Sequence, residues 1–132
     1  MSGGLAESPH ILLVEDDEQV CDVLGEFLRD SGYQVDVAGT VSAACSLLAD
    51  SRTYNLVVTD GRLPDGNGLM IAQRASEQSL KVILISGFPQ ELAAAERAQY
   101  PVLAKPFRLT VLSKVIGDTL SAICGDLHKL RN

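Results

Sequence analysis

Five short apolar runs recur along this chain, at Ile11–Val14, Val35–Ala38, Leu56–Thr59, Val82–Ile85 and Val102–Ala104, and longer segments with helical spacing separate them. Runs this short, rich in Val and Ile and without polar alternation, suit strands covered on both faces of a parallel sheet. Parallel neighbours cannot be joined by a hairpin and need a crossover, and a helical segment stands at every such place. The alternation therefore restricts the chain to an α/β fold: an open, doubly wound sheet of five parallel strands with helices on both faces.

The first expected helix spans Glu18–Asp30, aligns Val20, Val23, Leu24, Phe27 and Leu28, and stops at Ser31-Gly32. A second follows Thr40 as N-cap and carries Val41, Ala44, Cys45, Leu47 and Leu48. A short third runs from Leu69 to Glu77, and an alanine-rich fourth from Gln90 to Gln99 follows Pro89. The fifth begins near Leu109 and continues almost to the C-terminus. Residues 1–9 read as a disordered lead-in, 10–120 as the domain and 121–132 as a helical extension.

A length of 132 residues suits one domain with a real core, and 46% apolar residues make it globular rather than disordered. No run approaches the about 20 apolar residues of a membrane span. The first nine residues lack the basic start and apolar stretch of a signal peptide. A net charge of -6 without a basic stripe argues against DNA or RNA binding, since a phosphate backbone rewards Lys and Arg. Cys21, Cys45 and Cys124 form no C-x-x-C pair, so they read as free, buried thiols in a reducing compartment, the cytoplasm. His10 and His128 show no partner pattern and are expected on the solvated surface.

Polar residues stand at the ends of the strands. The first run ends in Glu15-Asp16-Asp17, the third in Asp60, the fourth in Ser86 and the fifth in Lys105. Open α/β sheets bind ligands beyond the carboxyl ends of their strands, where strand order reverses. Taken singly, each residue has a plain alternative. Asp17 and Glu18 suit a helix N-terminus, Asp60 and Ser86 suit turns, and Lys105 suits the surface. Together they bring several carboxylates, one hydroxyl and one ammonium to one edge. A carboxylate can attack phosphorus to form an acyl phosphate, which suits Asp60. Glu15 and Asp16 beside it would supply a magnesium (Mg2+) site that neutralises two meeting anions. Lys105 would stabilise phosphoryl oxygens, and Ser86 would donate a hydrogen bond.

The ordered set resembles the response-regulator receiver domains of two-component signalling. The matching motifs are Ile11-Leu12-Leu13-Val14-Glu15-Asp16-Asp17, Asp60-x-x-Leu63-Pro64-x-x-x-Gly68, Ile83-Leu84-Ile85-Ser86-Gly87 and Lys105-Pro106-Phe107. The resemblance spans about residues 10–120 and implies a flavodoxin-like sheet with strand order 2-1-3-4-5. It implies that Asp60 takes a phosphoryl group from a phosphohistidine of a histidine kinase or histidine phosphotransfer protein. It also implies that Asp16, Asp60 and the carbonyl of Arg62 hold the metal, with Glu15 acting through water, and that the Lys105-Pro106 bond is cis. The chain is thus expected to be a signalling domain with its own phosphoryl-transfer and autodephosphorylation chemistry, rather than a dedicated enzyme.

Three departures from the family pattern stand out. Val102 occupies the position where many members carry an aromatic that moves with the hydroxyl, and Tyr100 lies too early to replace it. Only 19 residues carry the chain from Ser86 to Lys105, which leaves a short fourth helix. Two residues beyond Asp60 and Ser86 stand Arg62 and Phe88, neither an acid nor an amide that could position an attacking water. A phosphatase of the haloacid-dehalogenase type also uses a strand-end Asp and magnesium. It normally carries a second Asp where this chain has Arg62. A flavin mononucleotide site would be repelled by Glu15-Asp16-Asp17, and no glycine-rich nucleotide loop is present.

Too few residues follow position 120 for an effector domain, so DNA binding is not expected of this chain, nor is membrane association. Both a free-standing regulator and a receiver from a hybrid kinase fit the sequence. Along the last helix Leu109, Leu112, Ile116, Leu120, Ile123, Leu127 and Leu130 recur at steps of three and four. That heptad-like stripe suggests a homodimer through this helix. The alternative is that it packs on the sheet as far as Leu120 and frays beyond, weakened by Gly117 and Gly125.

Overall fold

The computed structural model describes residues 8–50 and 54–131, with side chains described as far as Ser121. In chain order the elements are β1 (His10–Val14), α1 (Glu18–Asp30), β2 (Gln34–Ala38), α2 (Val41–Ala49), β3 (Leu56–Asp60) and α3 (Gly68–Glu77). Then follow β4 (Lys81–Ser86), α4 (Pro89–Arg97), β5 (Val102–Ala104) and α5 (Leu109–Arg131). A small antiparallel ribbon, Arg62–Leu63 against Gly66–Asn67, lies between β3 and α3. All neighbours in the main sheet are parallel, in the order β2-β1-β3-β4-β5. The order reverses between β1 and β3, which makes that edge the place where loops part and a ligand can enter.

The core has two layers because the strands are covered on both faces. Leu12, Val14 and Val57 face α2 and α3, meeting Val41, Ala44, Leu48, Ile71 and Ala75. Ile11, Leu13, Leu56, Val58, Ile83 and Ile85 face α1 and α5, meeting Leu24, Leu28, Leu112 and Ile116. Adjacent strand residues therefore serve opposite layers, which is why the runs read as continuously apolar. On α1 the stripe facing the sheet is Cys21, Leu24, Phe27 and Leu28, whereas Val20 and Val23 are exposed. Helix α4 is the least anchored and contributes only Ala95 to the buried set.

Local chemistry sets the helix ends. Asp17 Oδ1 accepts the Val20 N–H at the start of α1, and Gly32 at φ 101° lets the chain turn out after it. Thr40 Oγ1 accepts the Ala43 N–H of α2. A second cap reaches the same helix from the ribbon, where Asp65 accepts the N–H groups of Val41 (2.7 Å) and Ser42 (2.9 Å). Asn67 caps α3 through the Met70 N–H. The fourth helix is short as expected, ending at Arg97, and Gln99 at φ 69° carries the chain on toward β5.

Two expectations are modified. His10 is not a solvated surface histidine: its Nε2 lies 3.1 Å from Asp36 Oδ2 and its ring 4.7 Å from that of Tyr54, whose hydroxyl also donates to Asp36. The β1–β2 register places His10 beside Gln34, two residues from Asp36, and this cross-strand proximity was not readable from spacing along the chain. His128 lies outside the described side chains. In the C-terminal stripe Leu109, Leu112, Ile116 and Leu120 pack on the α1 layer of the core. A homodimer contact would therefore rest on Ile123, Leu127 and Leu130, whose side chains lie outside the described residues. No helix among the described residues is long and apolar enough to cross a membrane.

Candidate functional site

The sheet register brings the polar strand ends level with one another. Val14 pairs with Thr59, Asp60 with Ile85, and Ser86 with Ala104. Glu15, Asp60, Ser86 and Lys105 consequently leave the sheet along one edge, at its reversal point. Glu15, Asp16 and Asp60 can each offer a carboxylate oxygen within 4.8 Å of the others. Lys105 Nζ lies 3.2 Å from Asp60 Oδ1 and 3.7 Å from Glu15 Oε1. The Gly61 N–H donates to the same Asp60 oxygen at 2.9 Å. The Lys105-Pro106 bond is cis.

Electrostatically the pocket is short of positive charge. Glu15 is buried (6% exposed), and burial pushes its carboxyl above the ordinary range, with the charges of Asp60 and Asp16 adding to the effect. The Asp17 N–H, 3.1 Å from Glu15 Oε2, and the ammonium of Lys105 oppose it. Three carboxylates facing one ammonium form a hard-oxygen donor set with unbalanced negative charge, which fits a divalent cation such as magnesium. Arg62 could join that set only through its backbone carbonyl, because its guanidinium is a cation without an acceptor atom and pairs instead with Glu91.

Ser86 is brought to the edge but is not turned toward Asp60. Its hydroxyl, 1% exposed, donates to Glu91 Oε1 at 2.5 Å and accepts the Phe88 N–H at 2.9 Å. Glu91 Oε2 in turn accepts from Arg62 Nε at 2.7 Å, and the Arg62 guanidinium lies 3.3 Å from the centre of the Phe88 ring. Glu91 escaped the sequence reading, since an acid in a helix's first turn is explained by the helix dipole alone. Asp65 escaped it for a similar reason, as a turn residue among turn residues. Val102 stands at the family's usual aromatic position, and the Tyr100 hydroxyl lies 3.1 Å from Ser76 Oγ. Cys21 and Cys45 are half-buried free thiols, and burial pushes the Cys21 thiol up, consistent with a packing role.

A family model described as the response regulator receiver domain matches residues 11–117. The chain is 33% identical over 118 residues to the response regulator receiver protein CpdR of Brucella abortus (strain 2308), an alignment that covers 85% of this chain and 97% of that protein. It is 32% identical over 117 residues to the DNA-binding transcriptional regulator NtrC of Azospirillum brasilense. That alignment takes in 85% of this chain and 24% of the relative, so the chain spans about a quarter of NtrC's length. Among solved structures, the non-phosphorylated HemR receiver domain from Leptospira biflexa superposes with a TM-score of 0.76 at 33% identity, covering 86% of this chain and 95% of that one.

Proposed function

We propose that this chain, which belongs to the response regulator receiver domain family, carries its phosphoryl group on Asp60 and receives it from a phosphohistidine of a histidine kinase or phosphotransfer protein. The observation that carries this assignment is the Asp60 carboxylate held by Lys105 within the cluster it forms with Glu15 and Asp16. Asp60 Oδ1 is engaged by the Gly61 N–H and Lys105, which leaves Oδ2 to bond phosphorus. The Oδ2–P bond forms as the P–N bond of the phosphohistidine breaks, and the leaving electron pair stays on the imidazole nitrogen. Lys105 is placed to meet the phosphoryl oxygens as their charge arrives. Asp16, Asp60 and the Arg62 carbonyl, with Glu15 behind them, would hold a divalent cation, which would neutralise the two anions as they meet. Ser86 supplies the hydroxyl that meets the phosphoryl group.

The free thiols fit a cytoplasmic chain. Arg62 and Phe88, stacked on one another, offer no acid or amide to orient an attacking water, so the acyl phosphate on this chain is long-lived.

Incubation with magnesium and a small phosphodonor tests the assignment. Wild type should gain one phosphoryl group, labile to base and hydroxylamine. Asp60→Asn should gain none, and Asp16→Ala should be greatly slowed. An Asp60→Asn protein that accumulates phosphate at the wild-type rate would refute it.

A further inference from the structure

The geometry points to Glu91 as a positioning residue. It holds the Ser86 proton in the resting chain and yields it when Asp60 is phosphorylated, so that the first turn of α4 reports the state of the site. The inference rests on the assignment of Asp60 and Ser86 above.

A serine hydroxyl has one proton to donate. In this structure that proton goes to Glu91 Oε1 at 2.5 Å, the length of a short, charge-assisted O–H···O⁻ bond. The oxygen's acceptor side takes the Phe88 N–H, and at 1% exposure water has no place to substitute. Ser86 therefore cannot donate to a phosphoryl group on Asp60 without leaving Glu91. The two acceptors compete for one proton.

The niche for the Glu91 carboxylate is built into the phosphoacceptor loop. At Gly61, the residue after Asp60, a Cβ would stand 2.7 Å from Glu91 Oε1 and 3.2 Å from Ser86 Cβ. Any larger residue there would displace the carboxylate from this position. The far oxygen of Glu91 is tied to Arg62 of the same loop, and Arg62 lies on Phe88. Ser86, Glu91, Arg62 and Phe88 thus close a ring joining the loops after β3 and β4 to the start of α4. Phosphorylation disturbs this ring twice. It introduces a stronger acceptor for the Ser86 proton, and it brings roughly two further negative charges near the Glu91 carboxylate.

Release would act on α4, the element least able to resist it. Only Ala95 of that helix is buried, and its N-cap, Phe88, makes no side-chain cap hydrogen bond. Phe88 is 40% exposed, so a loosened Arg62–Phe88 pair changes the visible surface. With Val102 at the usual aromatic position, this ring offers a physical route from Asp60 to the outside. By the same logic Glu91 stabilises the resting state, and removing it should favour the phosphorylated geometry.

The full chain titrated with beryllofluoride and magnesium, followed by amide NMR, tests this. Glu91→Ala should bind this phosphoryl mimic about tenfold more tightly than wild type, and at most about a hundredfold. Glu91→Gln, which keeps the shape and one acceptor oxygen, should fall between. In a Ser86→Ala background the gain from Glu91→Ala should shrink severalfold. In the resting protein the Ser86 hydroxyl proton should appear as a slowly exchanging downfield resonance that Glu91→Ala abolishes. Equal affinities for wild type and Glu91→Ala would overturn the inference. So would a gain undiminished without the Ser86 hydroxyl, because charge repulsion alone would then explain it. Failure of the Asp60 assignment looks different: wild type would then bind no mimic at all, overturning both.

Discussion

Replacing Gly68 with alanine would set a Cβ 2.4 Å from the Asp60 carbonyl oxygen, and 3.2 Å from both the Asp60 carbonyl carbon and Leu84 Cδ1. A carbon rests against a carbonyl oxygen at roughly 3.3 Å, so the start of α3 and the end of β3 must part by about 0.9 Å. Neither side can yield by a rotamer change, since the principal clash is with backbone. The Gly68 N–H also donates to the Gly61 carbonyl at 3.0 Å, tying the two segments together. Overpacking of this kind costs about 1–3 kcal/mol, or a fall in Tm of roughly 4–12 °C for a domain of this size. Because the displaced group is the phosphoacceptor, the rate suffers more than stability. A misplacement on the order of 1 Å is worth about a hundredfold. Thermal melting by circular dichroism and the time course of labelling by a small phosphodonor read the two effects separately. Gly117→Ala is the counterpart on α5, where a Cβ would meet nothing within 4 Å. It should stabilise by about 1 kcal/mol and leave labelling unchanged. A Gly68→Ala protein that melts and labels like wild type would refute the claim that close approach to Asp60 demands glycine here.

Asp65 carries two N–H groups at the start of α2, and these hold its carboxyl below the ordinary carboxylate range. A lowered folded-state pKa gives stability that is present above the ordinary pKa and lost as pH falls through the folded one. Asp65→Asn should therefore lower Tm at neutral pH, and the gap to wild type should close in acid below the ordinary carboxylate range. A gap independent of pH would show that the charge is irrelevant. Phe88→Gln should shorten the lifetime of the phosphorylated chain about tenfold by giving water a group to bind. An unchanged decay of the labelled protein would count against that.

The alternation of apolar runs and helical segments determined the fold, since residues buried on both faces of a sheet must be apolar throughout and parallel strands must be separated by crossovers. It placed β5 at its observed bounds and α1 at Glu18–Asp30, with the Thr40 cap of α2. The same logic brought Glu15, Asp16, Asp60, Ser86 and Lys105 to one edge, because each stands at the end of a strand or within two residues of it, and the strands share one direction. Only the tertiary structure decided which partner each side chain faces. Ser86 reads from sequence as a donor to the site, yet in the resting fold its hydroxyl donates to Glu91. Asp65 reads as a turn residue, yet it caps a helix more than twenty positions away. His10 reads as solvated, yet it sits against Asp36 of the neighbouring strand and against Tyr54, just before β3. Periodicity records which face of an element is buried, whereas hydrogen-bond pairing depends on distances between elements, which exist only once the sheet register and the loops between them are set.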